Sequence, residues 1–247
     1  TVGTGRVFWK GAWHKVRRFA VEGSIIPVDG CPDERAGTES VARLAAAFGS
    51  EAADRLRNST VAVIGVGGTG SPAVEILTRA GVGHIISVDP DVFIESNLER
   101  VHGSGEADVG ANRAKVEIAA RHIRSISRRT RITAIKGALP QSEVIDALVQ
   151  ADMVLGCTDQ QHSRLAMSDL ALRYLIPSID VGVELEGSEG RITGQVIQLV
   201  RFFANDPCAL CLKMIDSQQV AQELITGDER DRRRVAAREA ASRDENP

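Results

Sequence analysis

The sequence predicts an α/β protein: a Rossmann-like, doubly wound, mostly parallel sheet with helices on both faces and added antiparallel strands near the C-terminus. Three observations lead to this prediction. Near-continuous apolar segments such as "VAVIG" and "MVLGC" alternate with amphipathic helical segments, which is typical of buried parallel strands. A glycine-rich turn, "GVGGTG", follows the first of these strands. The late stretch "RITGQVIQLVRFF" alternates as antiparallel strands do.

The composition is that of an ordinary globular protein. The chain has 247 residues, of which 43% are hydrophobic and 26% charged, and its net charge is −3. That charge gives no reason to expect binding to nucleic acid or to an anionic membrane, and no apolar run reaches the ~20 residues of a membrane span. The N-terminus lacks a secretory-signal pattern, and four cysteines, only two of them closely spaced, do not form a disulfide framework. We therefore expect a cytoplasmic protein.

Three regions follow from changes in composition. Residues 1–33 form a strand-rich preface, interpreted as a remnant of an upstream domain, in which Trp9, Trp13 and Phe19 are expected to pack onto the main domain. Residues 34–226 form that main domain. Residues 227–247 are rich in charge, which predicts a solvated helix or a flexible, disordered tail. Because the chain lacks an initiator Met, we expect it to be a truncated segment.

The elements of the main domain follow from its periodicity. Residues 34–58 are predicted to be helical, with Gly49 ending one helix before a second near residues 51–56. Apolar runs then alternate with segments of helical periodicity. The predicted strands cover 60–65, 84–89, 131–136, 152–156 and 178–182, and the predicted helices cover about 70–81, 111–127, 141–149 and 160–174.

The turn after the first of these strands predicts nucleotide binding. Gly65 permits a tight turn, Gly67 lets backbone N–H groups approach a phosphate, and Gly70 lets the next helix pack close to the strand. The N-terminus of that helix adds partial positive charge where a phosphate would lie. Asp89, at the end of the second strand, is placed to accept hydrogen bonds from ribose hydroxyls. These features leave open whether the nucleotide is a dinucleotide or a triphosphate.

Charged residues further along the chain favour a triphosphate. Four residues that follow the ribose-binding acid are expected around the same crevice: Asp91, Asn97, Arg100 and Lys115. Cations serve a reaction that breaks a triphosphate, because the α-phosphate gains attacking and leaving oxygens whose charge must be neutralised. Asp159, just past the fourth strand, can hold Mg²⁺ through oxygen and water ligands. Together these residues indicate phosphoryl or nucleotidyl transfer.

Six segments, taken in order, carry a family resemblance. The sequence resembles the ThiF/MoeB/HesA family, the adenylating domains of ubiquitin-activating enzymes and their bacterial relatives, over about residues 40–215. The matching segments are "GVGGTGS", "GVGHIISVDPDVFIESNLER", "VGANRAK", "CTDQQHSR", "IDVGVEL" and "PCALC". The Asn-Leu-x-Arg and Cys-Thr-Asp parts are the most specific. The "IDVGVEL" stretch is most similar to bacterial ThiF domains associated with JAB-type isopeptidases, although no such domain is visible in this sequence.

The resemblance implies a role for each matching residue. The family's nucleotide loop is matched by Gly65, Gly67, Gly68 and Gly70. Asp89 matches the ribose-binding acid, and Asp159 matches the magnesium-coordinating, catalytically required acid. The phosphate-handling residues are matched by Asn97, Arg100 and Lys115. Arg43 matches an Arg that reaches into the partner subunit's site, which implies a homodimer.

The implied activity is ATP-dependent adenylation of the C-terminal carboxylate of a ubiquitin-like or sulfur-carrier β-grasp protein. The carboxylate attacks the α-phosphate of ATP, pyrophosphate leaves and an acyl-adenylate remains. Many relatives then form a thioester or persulfide on a cysteine, but no cysteine lies between Asp159 and Pro207. Cys157 is interpreted as a small buried thiol, and nothing near Cys31 marks it as a nucleophile. We therefore predict adenylation without a thioester step.

Cys208 and Cys211 form a CxxC motif, which in the family is half of a structural zinc site. A second CxxC completes that site in relatives, whereas no Cys or His follows Cys211 in this sequence. Downstream residues present here cannot complete the tetrahedral ligand set. Either the completing half lies outside the sequence, or zinc is absent.

Other functions stay open at this point. An NAD(P)-dependent oxidoreductase would use the same glycine turn, but it needs an acid or base near the nicotinamide, and the single Tyr174 falls inside a predicted helix. A ThiF-like dehydratase acting on a tRNA base would be expected to have a basic surface, which the net charge does not indicate. A non-catalytic dimerisation partner could lose catalytic residues. The joint presence of four such residues argues against this function: Asp89, Arg100, Lys115 and Asp159.

Overall fold

The computed structural model describes residues 5–9, 12–16, 18–21, 24–27, 42–188 and 190–225. The strands are β1 (Gly5–Trp9), β2 (Ala12–Val16), β3 (Arg18–Val21), β4 (Ser24–Pro27), β5 (Thr60–Ile64), β6 (His84–Val88), β7 (Arg131–Ile135), β8 (Met153–Gly156), β9 (Ser178–Ser188) and β10 (Arg191–Phe202). The α-helices are α1 (Ala42–Phe48), α2 (Ser50–Asn58), α3 (Gly70–Arg79), α4 (Lys115–Ile126), α5 (Ser142–Leu148), α6 (Gln161–Tyr174) and α7 (Ser217–Glu223).

The main sheet has six strands in the order β10-β9-β8-β5-β6-β7. The pairs from β9 to β7 are parallel, and β10 is antiparallel to β9. This confirms the predicted Rossmann-like fold with added antiparallel strands. The strand order reverses between β5 and β8, and ligands bind such folds in the crevice outside the carboxyl ends of the strands at this point.

Apolar side chains cover both faces of the sheet. On one face, α3 and α4 pack Val74, Val116 and Ile123 against the strands. On the other face, α5 and α6 contribute Leu148 and Met167. All five residues of β5 are buried, as expected for a central strand covered on both sides. The helices therefore fix the carboxyl ends of β5, β6 and β8 in a rigid framework.

Helix boundaries differ from the prediction where local hydrogen bonds intervene. Residues 111–114 are not helical, and α4 begins at Lys115 because the Glu117 carboxylate accepts the Ala114 N–H at 3.1 Å. Gly49 separates α1 from α2, as predicted, and has a φ of +88° that favours glycine. The N-terminus of α6 is capped from a distance: the Glu223 carboxylate accepts the backbone N–H groups of Gln161 and His162.

The β9–β10 hairpin is longer than predicted. The sequence indicated a strand over 178–182, whereas β9 continues to Ser188. Its parallel partner β8 stops at Gly156, opposite Asp180, but β10 supplies hydrogen-bonding partners beyond that point. Six apolar side chains of the hairpin are exposed: Val183, Leu185, Ile192, Val196, Ile197 and Leu199.

The N-terminal strands pair as two small antiparallel sheets, β1 with β2 and β3 with β4. These four strands lie within the region predicted to be a strand-rich preface, and its status as a separate unit stays a prediction. The side-chain packing predicted for Trp9, Trp13 and Phe19, and the tail predicted at 227–247, lie outside what the structure describes. In the part of the chain that is described, no helix is both long and apolar enough to cross a membrane.

Candidate active site

The glycine turn joins β5 to α3 and needs glycine at its first and last positions for packing. Gly65 has a φ of +83°, and a Cβ placed on it would lie 2.5 Å from the carbonyl oxygen of Cys157. A Cβ on Gly70 would lie 1.8 Å from the carbonyl oxygen of Gly65. A Cβ on Gly67 would meet no atom within 4 Å. Gly67 therefore borders open space at the N-terminus of α3, where an anion is favoured.

Asp89 lies at the end of β6, next to this turn, and its side chain is buried. One carboxylate oxygen accepts the Val66 N–H at 2.8 Å and the other accepts the Asp91 N–H at 2.9 Å. Burial raises the pKa of Asp89, while these two hydrogen bonds favour its ionised form. An ionised carboxylate has about four lone-pair positions. Asp89 can therefore brace the turn and still accept ribose hydroxyls.

Lys115 is the first residue of α4 and reaches back toward the end of β6. Its Nζ lies 2.7 Å from Oδ2 of Asp91, and its backbone N–H donates to the Asp91 carbonyl. The Lys115 side chain is 11% exposed and that of Asp91 is 61% exposed. The positive charge also acts on Asp89, whose pKa it lowers against the larger effect of burial. The structure thus brings three predicted site residues together beside the turn.

Arg100 lies over the middle of the turn, next to Gly68. Its aliphatic side-chain atoms come within 3.4 Å of a Cβ placed on Gly68. The segment before it is held by Asn97, whose buried side chain accepts the Ile94 N–H and whose carbonyl accepts the Arg100 N–H. Asn97 is therefore used to shape this segment, and the phosphate contact predicted for it stays a prediction.

Ser71 couples the Arg100 segment to the glycine turn, and sequence reasoning missed it. Its hydroxyl donates to the Gly67 carbonyl at 2.7 Å and accepts the His102 N–H at 2.9 Å. The Glu75 carboxylate on α3 contacts the side chains of His122 and His102. These contacts lower the pKa of Glu75 to about 2, and the contact with His122 has the larger effect. A serine after a glycine loop gives no signal in the sequence, because its second partner lies 31 positions away.

Asp159 lies at the end of the strand adjacent to β5. The Cys157 N–H donates to the Ile64 carbonyl at 2.7 Å, and the Cys157 carbonyl is the group nearest to Gly65. Asp159 follows two residues later and is exposed. Segment 157–159 therefore borders the turn on the side opposite Asp89, since β5 lies between β8 and β6.

Cys157 is expected to be chemically inert. Burial, reinforced by the charge of Asp180, raises the pKa of its thiol to about 12. Its thiolate fraction at neutral pH is then roughly a thousandfold below that of an ordinary cysteine, and the thiolate is the nucleophile. In iodoacetamide labelling followed by mass spectrometry, we expect Cys157 to react at less than about a tenth of the rate of exposed Cys211. Equal labelling rates would contradict this account and reopen Cys157 as a nucleophile.

Three other predicted site residues lie apart from the turn. Arg43 is exposed on α1, and no hydrogen bond or ion pair joins its side chain to the turn within the described ranges. Cys208 and Cys211 have their Sγ atoms 3.3 Å apart after β10. No group of three or more His, Cys, Asp or Glu residues suited to a metal ion occurs among the residues described. Two thiols do not complete a tetrahedral zinc site, so zinc binding stays a prediction.

The glycine turn, the buried acid and the basic residues Lys115 and Arg100 form the candidate nucleotide site of an α/β domain. The sequence model of the ThiF family matches residues 41–235, most of the chain. The chain belongs to the ThiF family.

Curated relatives fit this family. The SAMP-activating enzyme E1 of Haloferax volcanii is 31% identical over 164 residues, which are 66% of this chain and 57% of that protein. The probable adenylyltransferase/sulfurtransferase MoeZ of Mycobacterium tuberculosis is 39% identical over 125 residues, 51% of this chain and 31% of that protein. This chain therefore spans between about a third and three fifths of the length of these relatives.

Solved structures with the same fold include an ATP complex. The Escherichia coli tRNA N6-threonylcarbamoyladenosine dehydratase TcdA superposes with a TM-score of 0.55 and 26% identity, covering 60% of this chain and 62% of that chain. A structure of TcdA in complex with ATP superposes with a TM-score of 0.53 and 27% identity.

Proposed function

We propose that this protein uses ATP to adenylate the C-terminal carboxylate of a ubiquitin-like or sulfur-carrier β-grasp protein. The observation that carries the proposal is an open glycine turn with Lys115 beside it, Arg100 over Gly68 and the exposed Asp159 after β8. The relatives support it, since they include a SAMP-activating enzyme and a probable adenylyltransferase/sulfurtransferase. An association with JAB-type isopeptidases stays a prediction.

The chemistry needs positioning and charge stabilisation more than a protein nucleophile. A carboxylate oxygen of the carrier forms a bond to the α-phosphorus, the bond to the β-phosphate oxygen breaks, and pyrophosphate leaves with the electron pair. The N–H groups of the turn and the helix N-terminus would hold the phosphates, and Asp89 the ribose. Lys115 and Arg100 would stabilise the charge that grows on the α-phosphate.

Asp159 is the residue proposed to hold Mg²⁺. A single exposed carboxylate fits this ion, which keeps several waters and takes its other ligands from substrate phosphates. When bound, Mg²⁺ supplies charge neutralisation at the phosphates. Lys115 must leave Asp91 to reach a phosphate, and Asp91 is exposed enough to be solvated when it does.

ATP–pyrophosphate exchange tests this function. Labelled pyrophosphate should enter ATP only when a carrier with an intact C-terminus is present, with purified SAMP and other small β-grasp proteins as probes. The same carriers with the last residue removed are the controls. ATP with Mg²⁺ should also bind more tightly than NAD⁺. Tighter binding of NAD⁺, together with no carrier-dependent exchange, would support the oxidoreductase alternative and contradict the proposal.

A tRNA-modifying dehydratase is the second candidate, because TcdA superposes on this chain. The net charge of −3 gives it no electrostatic support. The two candidates predict different activators of ATP turnover, a modified tRNA or a protein carboxyl terminus. Stimulation by tRNA alone would favour the dehydratase.

We also propose that the protein acts as a homodimer in which Arg43 enters the partner's site. The exposed apolar side chains of β10, Ile192, Val196, Ile197 and Leu199, form a surface that a second subunit could cover. The position of Arg43 on exposed α1, without a link to the turn of its own subunit, is compatible with a role in trans.

Mixing two inactive variants tests this dimer. In a mixture of Arg43→Ala and Asp159→Ala subunits, a mixed dimer has one complete site only if Arg43 acts in trans. Random mixing should then restore about a quarter of the wild-type exchange rate. Each variant alone should stay inactive. A mixture as inactive as its components, with subunit exchange verified, would place Arg43 in its own subunit's site or outside any site.

A further inference from the structure

The strand order arranges the candidate site groups in a line along the carboxyl edge of the sheet. Asp89 follows β6, the glycine turn follows β5, and Asp159 follows β8. If ribose lies at β6 and the phosphates lie at β5, the acyl group that attacks the α-phosphate should approach from β8 and the strand beyond it. That strand is β9, which no part of the nucleotide-binding machinery uses.

An arginine from α6 lies over this strand. Nε of Arg164 is 3.0 Å from Oδ2 of Asp180 on β9. The Asp180 side chain has no exposed surface, and that of Arg164 is 17% exposed. Asp180 pairs with Gly156, the last residue of β8, so the ion pair lies at the carboxyl edge of the sheet.

The pair is incompletely satisfied, and a glycine makes room for it. Although Nε of Arg164 lies 3.0 Å from Oδ2 of Asp180, the two atoms do not have hydrogen-bonding geometry. Nε and both carboxylate oxygens are therefore buried without a hydrogen bond to any residue that the structure describes. Such groups are rare in folded proteins and call for an explanation. A Cβ placed on Gly182 would lie 2.8 Å from Nη2 of Arg164. The Nη2 end of the guanidinium therefore approaches the backbone of β9 at Gly182, just beyond the end of β8.

We propose that Arg164, positioned by Asp180 and Gly182, binds the C-terminal tail of the carrier protein and orients its carboxylate toward the α-phosphate. This assignment rests on the proposed adenylation. A guanidinium offers several N–H donors in one plane, which suits the carbonyl and carboxylate oxygens of an extended peptide end. Asp180 is then a positioning residue that acts through Arg164.

The location favours a peptide tail over a phosphate. Lys115 lies on the β6 side of the turn and Arg100 lies over Gly68, whereas Arg164 lies past β8, on the side opposite Lys115. Beyond Gly182, the hairpin extends outward with exposed Val183 and Leu185. A tail that lay along this surface would have apolar contacts on the way in and the guanidinium at its end.

Steady-state exchange kinetics test the assignment, with the carrier and ATP varied in turn. For Arg164→Gln we expect the KM for SAMP, or for whichever carrier supports exchange, to rise by about tenfold or more, because a charge-assisted hydrogen bond is lost. The KM for ATP should stay within about twofold of wild type. Arg173→Gln is the matched control, since Arg173 lies on the same helix and pairs with exposed Asp169.

A second variant, Gly182→Ala, keeps the charges of both Arg164 and Asp180, so it leaves no unpaired charge in the protein interior. The methyl group of Gly182→Ala should push the guanidinium aside and also raise the KM for the carrier. If the wild type exchanges no pyrophosphate with any carrier, the proposed function fails and this assignment fails with it. If the wild type exchanges but folded Arg164→Gln keeps the wild-type KM for the carrier, or loses ATP binding equally, only this assignment is overturned.

Asp180 adds a readout that a purely structural role would not give. Burial raises its pKa to about 6, partly offset by Arg164. The groups facing it are Arg164 from α6 and Cys157 after β8, while β10 places apolar Val200 opposite. As the pH falls through about 6, Asp180 is protonated and releases Arg164, so the KM for the carrier should rise. Asp180→Asn should have a raised KM without this pH dependence; an unchanged profile would contradict the positioning role.

Discussion

Replacing Asp159 with alanine is expected to reduce carrier-dependent ATP–pyrophosphate exchange by about a thousandfold or more, equivalent to roughly 4 kcal/mol of transition-state stabilisation. The reason is the loss of the carboxylate proposed to hold Mg²⁺ at the phosphates, after the end of β8. Because Asp159 is exposed, its removal leaves the core unchanged, and the midpoint of urea unfolding should stay near that of the wild type.

Asp169→Ala is the matched control for this experiment. Asp169 is an exposed carboxylate on α6 that pairs with Arg173, away from the glycine turn. Its replacement should leave the exchange rate near the wild-type value, because Asp169 is not part of the candidate site. The protein should also stay folded, because exposed ion pairs contribute little to stability. Exchange by Asp159→Ala at more than about a tenth of the wild-type rate would remove Asp159 from the mechanism.

Gly70→Ala is expected to lower the free energy of unfolding by roughly 3 kcal/mol or more. The new methyl group would overlap the Gly65 carbonyl oxygen, 1.8 Å from its ideal position. The methyl carbon is bonded directly to the Gly70 backbone and the oxygen belongs to the Gly65 backbone, so neither can move without displacing α3 from β5. Urea denaturation followed by circular dichroism measures the loss, and ATP binding should fall with it.

Gly67→Ala separates packing from ligand binding in the same turn. Its methyl group meets no atom within 4 Å, so the free energy of unfolding should change by less than about 1 kcal/mol. That methyl group would occupy the space proposed for phosphate, and ATP affinity should fall by about tenfold or more. If Gly67→Ala binds ATP as the wild type does, the phosphate does not lie there.

Local pattern was sufficient to predict the fold of the main domain. The predicted strand at 60–65 corresponds to β5 (Thr60–Ile64), and the predicted helix at 160–174 corresponds to α6 (Gln161–Tyr174). β5 is a short, almost wholly apolar run and α6 is a 14-residue segment without Gly or Pro, so the local signals are clear. The prediction was wrong at residues 111–114, where a side-chain cap delays the helix, and beyond residue 182, where β10 extends the strand.

The candidate site was predictable only in part, because some of its contacts depend on distant residues. The glycine turn and Asp89 follow a recognisable spacing, and the structure places Lys115, Asp91 and Arg100 around them. Ser71 and the Arg164–Asp180 pair gave no such signal. Their significance comes from partners on other elements and from burial without hydrogen bonds, neither of which can be derived from one segment alone.

A crystal structure with a non-hydrolysable ATP analogue and Mg²⁺ tests the central claim most directly. The account predicts the triphosphate on the turn after Ile64, within hydrogen-bonding distance of backbone N–H groups. Lys115 should have moved from Asp91 to a phosphate oxygen, with Arg100 beside it and Asp159 facing the α-phosphate through the metal ion. A triphosphate bound elsewhere, or one from which these three side chains all point away, would contradict it.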